Sequence, residues 1–248
     1  MEDIIYGRNP VLEALESGHE INRIIVLEGS KDKPIQKIID ISKERKYLIQ
    51  YLDRKKMDRI TDGENHQGVI AYVAPYHYHE VEDLIDIAKA KDEEPFLIIC
   101  DEITDPHNLG SIIRTANAVG AHGVIIPKRR SALINQTVVK TSCGAVEYVP
   151  VAKVTNISQT IEELKTYGLW IVGTDMGAQN YCDAKLTGSI GVVIGNEGKG
   201  ISRLVKEKCD FMISLPMLGE VSSLNAAVAG AVVMYEVVRQ RQVKAQQK

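Results

Sequence analysis

Long hydrophobic runs are missing from this sequence. No apolar stretch approaches the ~18–20 consecutive residues that a membrane-spanning helix needs, which argues against a protein that crosses a membrane. The chain opens with Met1–Glu2–Asp3, whereas a secretory leader has a basic start. We therefore expect neither a signal peptide nor a membrane partner, and we expect a cytoplasmic location.

Paired cysteines and clustered metal ligands are also lacking. The four cysteines are scattered without a CxxC spacing, at Cys100, Cys143, Cys182 and Cys209. This pattern predicts buried free thiols in a reducing compartment rather than disulfides or a zinc site. His77 and His79 alternate with tyrosines, but two ligands without nearby partners make a poor metal site. The sequence thus predicts no bound metal.

Two common nucleotide-binding motifs are absent as well. No stretch has the spacing of a Walker A loop, Gly-x₄-Gly-Lys-Ser/Thr. The run Gly195-Asn-Glu-Gly-Lys-Gly200 would need a further glycine three residues on to match the dinucleotide fingerprint, and that position is Arg203. The missing glycine disfavours a NAD-dependent enzyme, which stays open as an alternative.

The composition itself is ordinary, and the charge is unevenly distributed. The chain has 248 residues, 44% of them apolar and 25% charged, as expected for a globular protein of one large or two small domains. Of the charged side chains, residues 1–75 hold 12 basic and 13 acidic, residues 76–95 hold 2 and 7, and residues 96–248 hold 16 and 13. The net charge of −3 thus arises in the middle segment, and the C-terminal part is compatible with RNA binding.

The hydrophobic patterns predict an α/β protein in three parts. Residues 1–75 form a small α/β unit, residues 76–95 an acidic linker with an amphipathic docking helix, and residues 96–248 an open parallel sheet of βα repeats. Among the predicted elements of the third part are helix Leu109–Val119, strands at Tyr148–Val151, Leu169–Gly173 and Gly191–Ile194, and helices Ser202–Lys208 and Ser223–Gln240.

Three polar stretches of the third part carry the candidate chemistry. A glycine-rich turn follows strand Gly191–Ile194, an arrangement that lets a backbone approach a nucleotide-like ligand closely. A second loop, ending in Ser223–Leu224–Asn225, precedes the last helix. The third stretch, Asn108 to Ala116, places Asn108 where a helix cap belongs and Arg114 on the polar side of the helix. Taken alone, Arg114 is more typical of a surface salt bridge than of a catalytic group.

These stretches resemble the three motifs of the SpoU/TrmH class of the SPOUT superfamily, which are S-adenosylmethionine-dependent RNA 2′-O-ribose methyltransferases. The stretch from Asn108 to Ala116 resembles motif one, the glycine-rich turn resembles motif two, and Ser223–Leu224–Asn225 resembles motif three. The resemblance implies a parallel sheet with a trefoil knot, S-adenosylmethionine as cofactor, no metal, and a homodimer formed through the C-terminal domain. The catalytic residues that it implies are Asn108, Arg114, Glu197, Ser223 and Asn225. The cofactor-binding residues that it implies are Thr174, Gly195, Asn196, Gly198, Leu215 and Leu224.

Several of these residues have plainer interpretations. Glu197 is also placed to cap the helix near Ser202, and Ser223 to cap the last helix. The resemblance makes Arg114 the base toward the ribose 2′-hydroxyl. Because an arginine pKa lies above ~12, the guanidinium could instead stabilise a developing alkoxide, so the destination of the proton stays open.

The N-terminal part resembles the same family's substrate-binding domain, a small fold like that of ribosomal protein L30e. The match rests on Tyr6–Pro10 and His66–Gly68. The implied RNA-binding residues are Arg8, Arg54, Lys55 and Lys56, for which a solvated helix face is the alternative. This extra domain favours large-subunit (23S) ribosomal RNA as substrate. A tRNA 2′-O-ribose methyltransferase and a non-catalytic RNA-binding or resistance-type factor are the alternatives.

Overall fold

A computed structural model describes residues 3–16, 21–73, 76–220 and 223–246. The chain divides into two compact units, and the division is not a single cut. The first unit comprises Met1–His77 and Ile134–Tyr148, and the second comprises Tyr78–Leu133 and Val149–Lys248. The predicted boundaries do not anticipate that Ile134–Tyr148 joins the first unit, or that most of the acidic segment 76–95 belongs to the second.

The secondary structure alternates along most of the chain. The strands are β1 Asp3–Tyr6, β2 Ile21–Leu27, β3 Leu48–Leu52, β4 Val69–Val73, β5 Phe96–Cys100, β6 Gly123–Pro127, β7 Val151–Val154, β8 Trp170–Asn180, β9 Ile190–Ile194 and β10 Phe211–Ser214. The α-helices are α1 Arg8–Glu16, α2 Lys33–Glu44, α3 Arg54–Ile60, α4 Val81–Ala90, α5 Pro106–Ala118, α6 Gln136–Thr141, α7 Ile157–Thr166, α8 Arg203–Lys206 and α9 Ala226–Gln246. A 3₁₀ turn spans Ala145–Glu147.

The first unit is built on a four-stranded mixed sheet in the order β1-β4-β2-β3. β4 pairs antiparallel with β1 and β2, and β2 pairs parallel with β3. The Asp53 carboxylate accepts from the Lys56 N–H and starts α3, as the sequence predicts. The inserted helix α6 packs on β1, and the Tyr148 hydroxyl donates to the Glu13 carboxylate at 2.7 Å. These contacts explain why Ile134–Tyr148 belongs to this unit.

The second unit is a six-stranded sheet in the order β10-β8-β9-β5-β6-β7, in which every neighbouring pair is parallel. The prediction of an α/β fold with an open parallel sheet is therefore confirmed. The continuous apolar strands β5, β6 and β9 are buried along their whole length, as expected for a sheet covered on both faces. Helix α9 lies on β9 and against α5.

The acidic helix α4 is part of this unit's core. Val81, Leu84 and Ile85 are at most 5% exposed and share a hydrophobic cluster with Ile161 and Leu164 of α7. Its acidic residues face solvent and support the helix start, where Glu80 and Asp83 form a capping box. The segment 78–95 is thus a structural element of the second unit.

Several predicted bounds shift, each for a local reason. The strand expected at Tyr148–Val151 begins only at Val151, because a 3₁₀ turn occupies the preceding residues. Helix α5 begins at Pro106, because the Asp105 carboxylate accepts from the His107 N–H and caps it. Strand β1 was not predicted at all. It is a four-residue edge strand, too short to show a periodic pattern.

The remaining expectations concern thiols, metals and membranes. All four cysteines are free, but only Cys100 is buried, whereas Cys143 and Cys182 are exposed, so the prediction of buried thiols holds in part. Within the described residues, no group of three or more His, Cys, Asp or Glu could hold a metal ion. No helix among them has the length and apolarity to cross a bilayer.

Candidate active site

The three predicted motifs meet at the carboxyl ends of the strands of the second unit. β9 ends at Ile194 and β10 at Ser214, and the loops that follow them enclose a cavity beside the start of α9. The carboxyl ends of parallel strands are where ligands bind in open α/β sheets. The cavity is lined by Thr174, Asp175, Gly195–Gly200, Ile213–Leu215, Met217, Ser223, Leu224, Ala226 and Ala229, with Ile194 at its base.

The loop after β9 is a tight turn that only glycine permits at its first position. The main chains of Asn196 and Gly200 exchange two hydrogen bonds, of 3.0 and 2.8 Å. A Cβ on Gly195 would lie 2.4 Å from the Gly200 carbonyl carbon, so no other residue fits there without moving the backbone. Gly200 adopts a φ of +67°, which glycine tolerates without strain. The turn thus presents main-chain groups to the cavity.

Asn196 holds this turn together with its side chain. Its Oδ1 accepts from the N–H groups of Gly198 and Lys199 at 3.0 and 3.2 Å. Its Nδ2 donates to the Glu102 carbonyl at 3.1 Å. Because the side-chain amide makes these bonds and the main chain is bonded to Gly200, the polar groups of Asn196 hold the turn in shape.

A single carboxylate oxygen of Glu197 joins motif one to motif three. It accepts from the Asn108 side-chain amide at 2.8 Å, from the Asn225 side-chain amide at short distance, and from the Ala226 N–H at 3.3 Å. Asn225 also donates to the Asn108 Oδ1 at 2.9 Å. The carboxylate lies at the N-terminus of α9, where the helix dipole favours negative charge. These residues therefore form one polar cluster on three separate elements.

The caps differ from the sequence expectations. Asn225, and not Ser223, caps α9, because its Oδ1 accepts from the Ala227 and Val228 N–H groups at 3.0 and 3.2 Å. Glu197 supports α9 rather than the helix near Ser202. The Ser202 N–H donates instead to the buried Asp101 carboxylate at 2.7 Å. Asn108 lies inside the first turn of α5 and not at its cap.

Arg114 stands apart from the cluster. It lies on α5 six residues beyond Asn108, about 120° around the helix from it, and is exposed. Within the described residues it makes no hydrogen bond or ion pair, so the salt bridge considered from the sequence is absent from this part of the chain. Its guanidinium is consequently available to a ligand.

All six residues proposed for cofactor contact line the one cavity, and so does Ser223. The sequence reasoning missed Asp175, which also lines it and whose carboxylate pairs with Lys206. The sequence did offer one signal for Asp175: it follows Thr174, just beyond the end of the predicted strand Leu169–Gly173. The ion pair itself spans 31 residues and could not be read from spacing.

Two of the four proposed RNA-binding residues share a groove of the first unit. Arg8 and Arg54 line it together with Asn65, His66 and Gln67. Arg8 donates to Asp32 at 2.6 Å and to the Gln67 carbonyl at 3.2 Å, which fixes its guanidinium. Lys55 and Lys56 lie outside the groove on the exposed face of α3, and Lys56 pairs with Asp53 at 3.3 Å.

Comparison with known families decides what kind of protein carries these sites. The sequence profile of the SpoU rRNA Methylase family matches residues 95–235. The chain belongs to the SpoU methylase family. A second profile, described as RNA 2′-O ribose methyltransferase substrate binding, matches residues 4–79. The two profiles thus match successive, non-overlapping parts of the chain.

Two individual SpoU relatives match nearly the whole chain, and a third matches two thirds of it. A protein assigned to the TrmH family of tRNA/rRNA methyltransferases, YacO of Bacillus subtilis, is 50% identical over 96% of this chain and 96% of its own length. The crystal structure of the SpoU methyltransferase AviRb from Streptomyces viridochromogenes, in complex with AdoMet, is 26% identical with a TM-score of 0.81, covering 98% of this chain and 91% of AviRb. A TrmH/SpoU tRNA-modifying enzyme of A. aeolicus is 30% identical with a TM-score of 0.56, covering 66% of this chain and 85% of that enzyme.

Proposed function

We propose that this SpoU protein transfers a methyl group from S-adenosylmethionine to a ribose 2′-oxygen of RNA, with 23S ribosomal RNA as substrate. The observation that carries the proposal is the convergence of Asn108, Glu197 and Asn225 beside the cavity. The family description names an rRNA methylase, and the description of the second profile, over residues 4–79, names substrate binding; both support this proposal. An rRNA substrate implies that the enzyme works in the cytoplasm.

The cavity fits S-adenosylmethionine, which supplies an electrophilic methyl group when bound. The main chains of Gly195, Leu215 and Leu224 offer hydrogen-bonding groups to an adenine, and Ile194 and Ile213 give it an apolar base. Asn196 and Gly198 keep the turn in shape, and Thr174 of β8 lines the cavity, where its hydroxyl donates to the Val193 carbonyl at 3.5 Å. The carboxylates at the cavity, including Asp175, suit the positive charge of the cofactor.

The polar cluster and Arg114 have separate roles in this proposal. One oxygen of Glu197, Oε1, accepts three hydrogen bonds, and through it Glu197 positions Asn108 and Asn225. Arg114 holds its charge beside the ribose and its phosphate, which favours the alkoxide that attacks the methyl group. Ser223 lies at the cavity wall, where its hydroxyl is in reach of the reacting groups.

The first unit is proposed to grip the RNA through its groove. Arg8 is oriented by Asp32, and Arg54 has no ion pair within the described residues, so both can meet phosphates. Lys55 and Lys56 add charge next to the groove. This assignment gives RNA binding to residues 1–75, with an L30e-like fold, and methyl transfer to residues 96–248, while most of the segment 76–95 packs with the second unit.

The second unit is proposed to be knotted and to form a homodimer. After β10, at one edge of the sheet, the chain returns to the middle of the sheet, where α9 lies on β9. This return is compatible with a trefoil knot. Val228, Val232 and Tyr235 are 50%, 38% and 54% exposed along one stripe of α9, which suits a partner subunit. An equilibrium sedimentation run that gives the monomer mass would argue against the dimer.

Methylation assays separate this function from the alternatives. Radiolabelled S-adenosylmethionine is incubated with unmodified 23S rRNA or with unmodified tRNA, and the label is mapped by nuclease digestion. We expect label on rRNA at a linkage that resists alkali, since a methylated 2′-oxygen cannot attack the neighbouring phosphate. Label on tRNA would establish the tRNA alternative. RNA binding without any transfer would indicate a non-catalytic factor.

A further inference from the structure

A groove at the opposite edge of the second unit's sheet has no role in methyl transfer. It lies at the amino ends of the strands, where Trp170 begins β8 and Phe211 begins β10. The last turns of α9, with Arg239 and Lys244, form the other wall. The open groove has a volume of about 830 Å³, within the roughly 300–1,000 Å³ of clefts that hold small organic ligands. We call it the Trp170 groove.

The indole of Trp170 lies on the surface although its backbone is firmly held. Its side chain is 60% exposed, whereas Leu169 and Ile171 on either side are 3% and 0% exposed. The backbone N–H of Trp170 donates to the Ser189 carbonyl at 2.9 Å. Because neighbouring strand residues point to opposite faces, this anchoring fixes an aromatic face outward. A large exposed aromatic side chain on a rigid backbone offers a stacking surface to another aromatic ring.

Every ionisable side chain that lines the groove is a cation. These are Lys185, Arg239 and Lys244. Arg239 is held at 2.7 Å by Glu236, which is itself buried, and Lys244 lies 3.5 Å from Glu94. Lys185 is exposed and has no ion pair within the described residues. An aromatic platform surrounded by cations matches an unpaired nucleotide, which offers a base for stacking and a phosphate for charge pairing.

The loop that carries Lys185 is fastened in place, so the groove is formed in advance of binding. The Gln240 side chain accepts from the Leu186 N–H at 2.8 Å and donates to the Ala184 carbonyl at 2.9 Å. Arg241 donates to the Gly188 carbonyl at 2.7 Å. Binding here consequently requires little ordering of the protein.

We propose that the Trp170 groove is a second RNA-contact surface, in which an unpaired base stacks on Trp170 while Lys185 and Arg239 face the adjoining phosphates. The inference rests on the proposed action on RNA, and it adds that the enzyme holds a single-stranded part of its substrate far from the reacting ribose. A protein partner on the same surface is the competing occupant.

Intrinsic fluorescence tests the groove directly, because Trp170 is the only tryptophan in the chain. A short oligoadenylate is titrated into the full-length protein, and the indole emission is followed. We expect saturable quenching. Binding of fluorescein-labelled oligoadenylate, measured by anisotropy, should weaken about 5-fold to 150-fold in Trp170→Ala, the scale of losing one stacked base. Lys185→Glu should also weaken binding and lower its salt slope by about one.

Tyr167→Ala is the matched control, since Tyr167 is 38% exposed nearby but does not line the groove. It should bind the oligoadenylate like the wild type. Unchanged indole emission, together with wild-type affinity of Trp170→Ala and Lys185→Glu, would contradict RNA binding in the Trp170 groove. A protein partner would then be the remaining occupant. S-adenosylmethionine binding and methyl transfer are measured separately. Quenching without transfer would support the groove and count against the proposed function alone.

Discussion

Asn108 and Asn225, 117 residues apart in the chain, donate to the same carboxylate oxygen of Glu197 and also bond to each other. An acceptor that serves two side-chain amides and the Ala226 N–H is committed to structure. The cluster thus holds the first turn of α5, the glycine turn and the start of α9 in one arrangement.

Glu197→Ala should lower both stability and activity. It removes the shared acceptor, and each lost hydrogen bond contributes on the order of 1 kcal/mol, so we expect the free energy of unfolding to fall by about 1–3 kcal/mol in urea denaturation. Glu197→Gln keeps an oxygen acceptor and should recover part of the loss. Lys199→Ala, two residues on in the same turn, is the control for stability. If Glu197→Ala is as stable as Lys199→Ala, the cluster does not support the fold.

Two glycines of one turn should respond differently to the same change. Gly195→Ala places a Cβ 2.4 Å from the Gly200 carbonyl carbon, whereas the nearest atom to a Cβ at Gly198 is the Asn196 Oδ1 at 3.7 Å. We expect Gly195→Ala to displace the turn and weaken S-adenosylmethionine binding about 10-fold or more, measured by calorimetry, while Gly198→Ala binds like the wild type. Equal binding by both variants would show that the turn's shape is irrelevant to the cofactor.

Arg114→Ala should separate binding from turnover. Because the guanidinium bonds to nothing else within the described residues, its removal should leave the fold and cofactor binding within a few-fold of wild type. The rate of methyl transfer should fall about 100-fold, the scale of losing an electrostatic catalytic group. Single-turnover kinetics with excess enzyme measure this, and Arg114→Lys tests how much the charge alone restores. Normal turnover by Arg114→Ala would make it a plain surface residue.

His122 should make the second unit less stable in mild acid. Its Nδ1 accepts from the Phe96 N–H at 3.0 Å and its Nε2 lies 2.9 Å from Glu93. Burial lowers the pKa of His122 below the usual 6.5, a shift that the nearby Glu93 partly opposes. Between the lowered pKa and pH 6.5 the unfolded chain binds more protons, so stability is full above pH 6.5 and falls as the pH drops through that window.

His122→Asn tests this pH dependence. An asparagine oxygen can accept from the same N–H but does not titrate in this range. Urea denaturation at a series of pH values should show a smaller loss of stability below pH 6.5 in the variant than in the wild type. Parallel curves for the two proteins would contradict a titrating His122.

The folding boundary of the second unit should lie before α4. A fragment that starts at Tyr78 keeps Val81, Leu84 and Ile85 in the core, and one that starts at Glu93 removes them. Each fully buried aliphatic side chain contributes about 1.5–3 kcal/mol, so the shorter fragment should be several kcal/mol less stable. Comparing their urea midpoints measures the difference. Equal midpoints would show that α4 does not stabilise the second unit and acts only as a linker.

The sequence predicted the parts of the fold that repeat and the parts of the site that lie on motifs. The apolar runs of β5 and β9 indicated a parallel sheet. Motifs two and three follow strands of this sheet, so their residues were expected near its carboxyl edge. The choice between Ser223 and Asn225 as cap could not be made, since both are good caps two residues apart. Nor could the apolar face of α6 reveal which unit it packs on.

The contacts of Glu197 also set a limit on when its polar cluster can form during synthesis of the chain. Its partners come from α5, near the middle of the chain, and from α9, which ends the described part of the chain at Gln246. A nascent chain still holding α9 inside the ribosomal exit tunnel lacks Asn225 and the Ala226 N–H at the cluster. Premature release upstream of Asn225 therefore yields a protein that keeps the residues of the first unit and lacks the Glu197 cluster.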